Sequence, residues 1–243
     1  MKLSIVVPVY NEKATFPILI DKVLSVALPR NLEKEIIIVE GRSTDGTRDL
    51  ALALKDRPGV KVVLEDAPHG KGAAVRRGLA EATGDFLVIQ DGDLEYDVAD
   101  YARLLKPLLD GTCDVVFGSR ELGSSRRWLF RELSGRDRFY GLFVNSGGAL
   151  LSALFNILYG THLTDGATMF KFFRLRDLRE LTLRSDVFDY DWEIIGKLAK
   201  RGKTFLELPV NYRARSREEG KKIRVWRDGP RVLFAILRYR FMD

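Results

Sequence analysis

The sequence predicts an α/β fold, a mainly parallel β-sheet with helices on both faces. Apolar runs of strand length alternate with amphipathic segments of helix length through the first 119 residues. The chain has 243 residues, 46% of them apolar, which is enough for one substantial core. Polar loops follow the predicted strands, and ligands of such folds bind beyond the carboxyl ends of the strands.

The first half supplies most of the predicted sheet. Strands are assigned to short aliphatic and β-branched runs, and helices to segments whose apolar residues recur at helical spacing. Because the first strand follows Met1 and Lys2 directly, no export signal is expected. The predicted strands are residues 3–9, 35–39, 60–64, 85–89 and 114–118, and the predicted helices are residues 14–27, 45–55, 71–82 and 99–109.

The alternation is lost after residue 120. An uncharged segment, residues 139–164, contains Asn and Ser side chains, each of which costs roughly 4–8 kcal/mol in hydrocarbon without a partner. A buried or interfacial helix is therefore predicted there rather than a membrane span. The other predictions are a strand pair at residues 167–174 and 204–210, a helix at 190–201, one main domain of residues 1–223 and a basic amphipathic C-terminal helix at 224–243.

The charge is divided unevenly. The formal net charge is +6, with 15 basic and 19 acidic residues up to residue 119 and 25 and 15 after it, or −4 and +10. The basic half suggests an anionic partner: phosphate, a membrane surface or nucleic acid. No nucleic-acid-binding module is recognised, so nucleic acid is the least expected partner. The single cysteine, Cys113, excludes an intrachain disulfide and favours a reducing, cytoplasmic location.

The most informative motif is Asp91-Gly92-Asp93, directly after an apolar strand. Two carboxylates that bracket a small residue can converge on one hard divalent cation, with Glu95 as a third oxygen ligand. An isolated motif of this kind is more often a polar turn that caps the next helix. Its place at a strand end favours Mg²⁺ or Mn²⁺ held against a diphosphate.

Two further strands end in candidate ligand-binding residues. After the first strand, Tyr10 can stack on a base while Glu12 accepts hydrogen bonds from a base or ribose. After the second, Glu40 precedes a segment in which Ser43, Thr44 or Asp45 can cap the next helix. Capping does not account for Glu40 itself.

Glycines surround Lys71 in the segment His69-Gly70-Lys71-Gly72. They let the backbone approach a ligand, and Lys71 adds positive charge at a helix N-terminus. The spacing of a P-loop is absent. Because the chain has two histidines, a histidine-rich metal site is excluded.

These motifs occur in an order that resembles a known family. IVVPVYNE, VEGRSTDGT, HGKGAAVRRG, GDFLVIQDGDLEY and VVFGSR, followed by LTDGATMFKFFR, FDYDWEI, ELPVNYRARSREEGKKI and WRDG, cover nearly the whole chain. The set resembles the family 2 glycosyltransferases of the GT-A (Rossmann-like) fold. It is most similar to the dolichyl- or polyprenyl-phosphate mannosyltransferases.

The resemblance implies roles for individual residues. Asp91 and Asp93, with Glu95, match the positions that hold Mg²⁺ or Mn²⁺. Arg120 matches an arginine near the donor or acceptor phosphate and is taken as catalytic with the two aspartates. Arg120, Arg131 and Asn145 form the predicted acceptor-phosphate site. The predicted nucleotide-sugar site comprises Pro8, Tyr10, Glu12, Glu40, Lys71, Asp91, Gly92, Asp93, Lys171, Arg215 and Lys221, with Lys222 as an alternative to Lys221.

One segment departs from the family pattern. Many relatives read Asp-Asp-Gly-Ser where this chain reads Glu40-Gly41-Arg42-Ser43. The first acid is retained as glutamate, the second is lost and a guanidinium is added. The preference for guanine or uracil therefore stays open.

The implied activity is inverting transfer of a sugar, mannose from GDP-mannose, to a polyprenyl or dolichyl phosphate. A lipid phosphate is already ionised at pH 7 and requires no general base. The alternative is a soluble transferase that uses a UDP-sugar and a saccharide hydroxyl, whose proton Asp191 or Asp189 would accept. Arginines beside the uncharged segment, together with the C-terminal helix, predict peripheral attachment at the cytoplasmic membrane face.

Overall fold

The computed structural model describes residues 1–123, 138–215 and 225–242. Over these residues, seven strands form one sheet in the order β3-β2-β1-β4-β6-β5-β7. The strands are β1 Lys2–Val9, β2 Glu33–Glu40, β3 Val60–Leu64, β4 Phe86–Ile89, β5 Val115–Ser119, β6 Lys171–Arg174 and β7 Phe205–Pro209. The predicted α/β class with a mainly parallel sheet is confirmed.

β6 is the antiparallel strand of this sheet. It pairs with β4 on one side and β5 on the other, whereas β1, β2, β3 and β4 pair in parallel, as do β5 and β7. The predicted strands at 167–174 and 204–210 both exist, but they do not pair with each other. Both instead pair with β5, and β6 buries Phe172 in the core on one face of the sheet and Phe173 in the core on the other.

Helices cover both faces of the sheet, as predicted. One core contains buried residues of α1, α2 and α4, and the other contains buried residues of α3, α6, α7, α8 and α9. The helices are α1 Phe16–Ser25, α2 Thr47–Leu52, α3 Lys71–Glu81, α4 Tyr101–Leu109, α5 Arg120–Gly123, α6 Arg138–Tyr159, α7 Leu175–Arg179, α8 Tyr190–Lys200 and α9 Val225–Phe241, with short 3₁₀ helices at Pro29–Asn31 and Val98–Asp100.

The C-terminal helix α9 packs against the rest of the domain along one face. Ile236 and Tyr239 are buried, and the Tyr239 hydroxyl lies 2.8 Å from Ser185 Oγ. The Tyr159 hydroxyl of α6 donates a 2.9 Å hydrogen bond to the carbonyl of Ile236. The opposite face of α9 leaves Phe234 and Leu237 exposed. Among the described residues, the structure contains no helix with the length and apolar character needed to cross a membrane.

Candidate active site

The loops after β1, β2 and β4 lie side by side because these strands are neighbours and run in parallel. Each loop contains a non-glycine residue in the left-handed backbone region: Asn11 (φ 50°), Arg42 (φ 61°) and Leu94 (φ 59°). Such conformations cost about 1–3 kcal/mol each, least for asparagine, and they cluster at functional sites. This edge of the sheet is therefore the candidate active site.

Hydrogen bonds join the first two of these loops. The amide of Asn11 donates to Ser43 Oγ (2.9 Å), and its side-chain oxygen accepts from the amide of Thr44 (2.8 Å). The amide of Glu12 donates to Thr47 Oγ1 at 2.9 Å. The backbone around Glu12 is thereby held in place before any ligand binds.

The Asp91-Gly92-Asp93 turn lies beside these loops. Asp91 forms an ion pair with Lys71, the first residue of α3. Asp93 accepts a 3.1 Å hydrogen bond from the amide of Glu95 through Oδ1. Gly92 is buried, and a Cβ there would lie 3.2 Å from Val9 Cγ1, so the turn packs closely against the end of β1.

Arg215 joins three acidic residues that are far apart in the sequence. Its guanidinium lies 3.1 Å from Glu12 Oε2 and 3.0 Å from Asp93 Oδ2, and its backbone amide donates a 2.9 Å hydrogen bond to Glu95 Oε1. The Tyr212 hydroxyl donates to the other oxygen of Glu95 at 2.9 Å. Glu12, Asp91, Asp93 and Glu95 are called the carboxylate cluster below.

The carboxylate cluster concentrates negative charge. Burial raises the pKa of Asp93 to about 7, and the charges of Asp91 and Glu95 act in the same direction. Burial alone would lower the pKa of Arg215, but the charges of Asp93 and Glu12 raise it. A divalent cation would reduce the repulsion between such closely spaced carboxylates.

The donor set of Asp91, Asp93 and Glu95 fits a hard cation such as Mg²⁺ or Mn²⁺ by its chemistry. In the part of the chain that the structure describes, no three acidic, His or Cys side chains converge at metal-ligand distances. Lys71 and Arg215 contact these carboxylates instead. In this structure the carboxylates are thus neutralised by basic side chains.

Arg120 is fixed by a buried partner, Asp165. The two side chains form two hydrogen bonds of 2.7 Å, and the amide of Arg120 donates a third of 3.0 Å. The guanidinium carbon lies 5.2 Å from the centre of the Tyr212 ring. Tyr212 therefore contacts both residues: its ring faces Arg120 and its hydroxyl binds Glu95. Sequence reasoning missed Asp165; its signal was the family-like segment LTDGATMF, to which no role was given.

Lys171 and Asp191 form a buried ion pair, and Lys171 also donates to the carbonyl of Thr168. Burial lowers the pKa of Lys171 and raises that of Asp191, and the attraction between the two charges opposes both shifts. Neither side chain lies at the open edge of the site. The side chains of Lys171 and Asp191 are 1% and 2% exposed, so the predicted donor ligand and the predicted base are paired with each other in this structure.

Glu40 is buried as well, and its carboxylate organises the loop that follows it. It accepts hydrogen bonds from the amide of Ser43 (2.6 Å) and from the Arg48 guanidinium (2.7 Å). The structure thus does not bring Glu40 to the open edge. Tyr10, which is 39% exposed, does lie there, at the end of the strand that contains Pro8.

The glycines around Lys71 serve close packing of the chain rather than an open ligand cradle, contrary to the expectation from the sequence. A Cβ at Gly70 or Gly72 would lie 2.4 Å from the carbonyl oxygen of Asp186 or Ser185, respectively. Asn145 is buried in α6. The predicted residues Arg131, Lys221 and Lys222 lie outside the described residues.

Comparison with known proteins identifies the family of the chain. The sequence profile of glycosyl transferase family 2 matches residues 4–181. The chain belongs to this family, as the ordered motifs indicated.

Two of three named relatives extend the similarity over more than nine-tenths of the chain. The glycosyltransferase AglJ of Haloferax volcanii is 26% identical over 97% of this chain and 71% of its own length. The dolichol-phosphate mannosyltransferase of Pyrococcus furiosus is 27% identical over 91% of this chain and 59% of its own length. The undecaprenyl-phosphate 4-deoxy-4-formamido-L-arabinose transferase of Serratia proteamaculans is 31% identical over 63% of this chain and 48% of its own length. The chain thus spans about half to three-fifths of the length of the last two relatives.

Solved structures show the same fold. Glucosyl-3-phosphoglycerate synthase of Mycobacterium tuberculosis, in complex with Mn²⁺, UDP and phosphoglyceric acid, superposes with a TM-score of 0.72 at 20% identity. The match covers all of this chain and 79% of the synthase chain. The same enzyme with Mg²⁺ and UDP gives a TM-score of 0.68 at 21% identity over 80% of its chain. These structural relatives bind a divalent ion together with a nucleotide.

Proposed function

We propose that the chain transfers a sugar, mannose from GDP-mannose, to a polyprenyl or dolichyl phosphate with inversion at the anomeric carbon. The carboxylate cluster carries the proposal, because it gathers acidic side chains and Arg215 at the carboxyl ends of neighbouring parallel strands. Two of the relatives described above are named for transfer to dolichol phosphate or undecaprenyl phosphate.

In this proposal, Asp91 and Asp93, with Glu95, hold Mg²⁺ or Mn²⁺ against the donor diphosphate. The ion supplies neutralisation of the charge that grows on the departing diphosphate. Arg215 adds hydrogen bonds to the same group, and Tyr10 stacks on the base. The acceptor phosphate is ionised at pH 7 and attacks without a general base, in keeping with the burial of Asp191 against Lys171.

A second candidate is a soluble transferase that moves a sugar from a UDP-sugar to a saccharide hydroxyl in surface polysaccharide assembly. The UDP part of this candidate is supported by the structural similarity to a synthase that has been solved with UDP. The second candidate differs from the first in base, acceptor and the need for a general base. One assay separates the two.

The purified protein is incubated with Mn²⁺ and a panel of labelled nucleotide sugars, either with polyprenyl phosphate, with saccharide acceptors or with neither. A lipid-extractable product that requires polyprenyl phosphate supports the first proposal; product only with saccharide acceptors supports the second. Asp93→Asn is expected to lower transfer at least about 100-fold through loss of metal and diphosphate stabilisation. Asp97→Asn is the matched control, because it removes the same charge from the same loop while its side-chain oxygen still caps the 3₁₀ helix. Equal activity of the two variants would reject the metal assignment.

We propose further that the exposed face of α9 binds anionic membranes at the cytoplasmic side. Phe234 and Leu237 are 58% and 39% exposed, and Arg231 and Arg240 flank them on the surface. Apolar side chains that insert beside arginines are typical of helices that lie in an anionic interface.

Vesicle flotation tests the membrane proposal. The double variant Phe234→Ser and Leu237→Ser is expected to lose binding to vesicles that contain anionic lipid. The matched control, Ile18→Ser and Leu52→Ser, removes side chains that are 50% and 38% exposed on α1 and α2 and is expected to bind normally. Equal loss in both double variants, or no loss in either, would contradict this docking face.

A further inference from the structure

Arg215 occupies the centre of the carboxylate cluster. Its guanidinium bonds Glu12 and Asp93, and its amide bonds Glu95, with distances of 2.9–3.1 Å. The side chain is 13% exposed. Three acidic residues that the proposed function places around metal and nucleotide are thus bridged by one basic residue.

The other oxygens of the cluster also have partners. Asp93 Oδ1 accepts from the amide of Glu95, and Glu95 Oε2 accepts from the Tyr212 hydroxyl. Asp91 pairs with Lys71. A divalent ion coordinates through carboxylate lone pairs, and a guanidinium uses the same lone pairs as acceptors. The lone pair of Asp93 Oδ2 that faces Arg215 cannot serve both cations at once.

The backbone that carries Arg215 is anchored independently of its side chain. Residue 212 forms an antiparallel bridge with Tyr96, and the amide of Arg213 donates to the carbonyl of Glu95 at 2.9 Å. The amide of Asn211 donates to Asp100 Oδ2 at 2.7 Å. Because these contacts do not involve the guanidinium, the Arg215 side chain can leave the carboxylates while its backbone stays in place.

We propose that Arg215 is the internal cation of the carboxylate cluster and competes with the divalent ion for Asp93. A nucleoside diphosphate relieves this competition, because its phosphate oxygens accept the guanidinium that the metal displaces. Metal and nucleotide therefore bind cooperatively, and Arg215 is the positioning residue that couples them. This inference rests on the proposed function.

The proposal predicts that replacing Arg215 changes the affinity for the metal ion and the affinity for the nucleotide in opposite directions. Without nucleotide, Arg215→Gln is expected to bind Mn²⁺ about tenfold more tightly, because one charge-assisted contact with Asp93 no longer has to be broken. With saturating Mn²⁺, the same variant is expected to bind GDP or UDP about tenfold more weakly, because a diphosphate contact is lost. Arg215→Lys keeps the positive charge and is expected to restore part of both wild-type affinities.

The measurements are electron paramagnetic resonance of free Mn²⁺ during titration without nucleotide, and calorimetry of GDP and UDP binding with Mn²⁺ present. Arg30→Gln is the matched control, since it removes the same charge from a more exposed ion pair, with Asp110, that does not contact the carboxylate cluster. Weaker or unchanged Mn²⁺ binding by Arg215→Gln overturns the inference, and a general loss of folding would weaken both ligands. Wild-type protein that binds neither nucleotide with Mn²⁺ overturns the proposed function as well, which separates the two failures.

Discussion

Lys171 and Asp191 form an ion pair out of contact with water, and each depends on the other. Breaking a buried pair by removing one partner leaves an uncompensated charge, which costs about 3–5 kcal/mol. The sequence indicated that both residues matter, but it could not pair them, because residues 20 positions apart meet only through packing of α8 on the sheet.

Asp191→Asn is therefore expected to lower the free energy of unfolding by about 3–5 kcal/mol in urea denaturation. The double variant Lys171→Met and Asp191→Asn should recover a large part of that loss, because no charge is left unpaired. Asp186→Asn, which breaks an exposed pair with Arg76, is expected to cost less than about 1 kcal/mol. Full stability of Asp191→Asn would show that the pair contributes nothing.

The carboxylate cluster illustrates how much of the site was predictable. Tyr10, Glu12 and Asp93 follow strands directly, so the alternation of strands and helices was sufficient to place them at one edge. The contact between Glu12 and Arg215 was not predictable, because these residues are separated by 203 positions and no local pattern relates them. Likewise, the sequence pattern does not distinguish a glycine that packs against another backbone segment, such as Gly72, from one that faces a ligand.

Asp45, just before α2, connects the loop after β2 to the loop after β1. Asp45 accepts hydrogen bonds from the amide of Thr47 (2.9 Å) and from the amide of Lys13 (3.0 Å). Burial acts to raise the pKa of Asp45, but hydrogen bonds from Thr47 and from the Lys13 backbone outweigh it and lower the pKa. A lowered pKa means that the stabilising contribution is present above the unfolded value of about 3.9 and is lost as pH falls.

Asp45→Ala is expected to cost about 1 kcal/mol of unfolding free energy at pH 7. The difference from wild type should shrink as pH falls below about 4, because Asp45 of the unfolded chain then takes up a proton before Asp45 of the folded chain does. Urea denaturation at pH 7 and near pH 3 measures this difference in unfolding free energy. Asp49→Ala removes the same charge from an exposed position of the same helix and should cost less. A difference that stays constant with pH would contradict this role of the carboxylate.

The presence of individual helices and strands was easier to predict than the order of the strands in the sheet. Helix α3 spans Lys71–Glu81 where residues 71–82 were predicted, because its apolar spacing is regular. Residues 45–55 yield only the short helix Thr47–Leu52. The position of β6 between β4 and β5 was missed, since an apolar run such as Phe172-Phe173 fits between any two strands.

The two halves of the molecule divide its charge in a way that suits the proposed chemistry. The acidic half contributes Glu12, Asp91, Asp93 and Glu95, and the basic half contributes Arg215. A ligand that binds this junction binds only the folded chain and must therefore stabilise it.

GDP or UDP with Mn²⁺ is expected to raise the melting temperature of the 243-residue chain. At a ligand concentration 100 times its dissociation constant, the stabilisation is about 2.7 kcal/mol, or about 5–10 °C for a protein of this size. Differential scanning fluorimetry measures the shift, and the nucleotide that gives the larger shift identifies the preferred base. Asp93→Asn should abolish the shift, whereas a shift that persists without metal would argue against metal-assisted binding.

The antiparallel strand β6 also affects how the chain is made. A nascent chain that has left the ribosome only through β5 lacks the strand that separates β4 from β5, so both strands keep an unpaired edge. β1, β2, β3 and β4 can assemble early, but the centre of the sheet closes only when Lys171–Arg174 emerges. The long connection between β5 and β6 therefore sets the interval during synthesis in which the growing chain is exposed to aggregation and to chaperones.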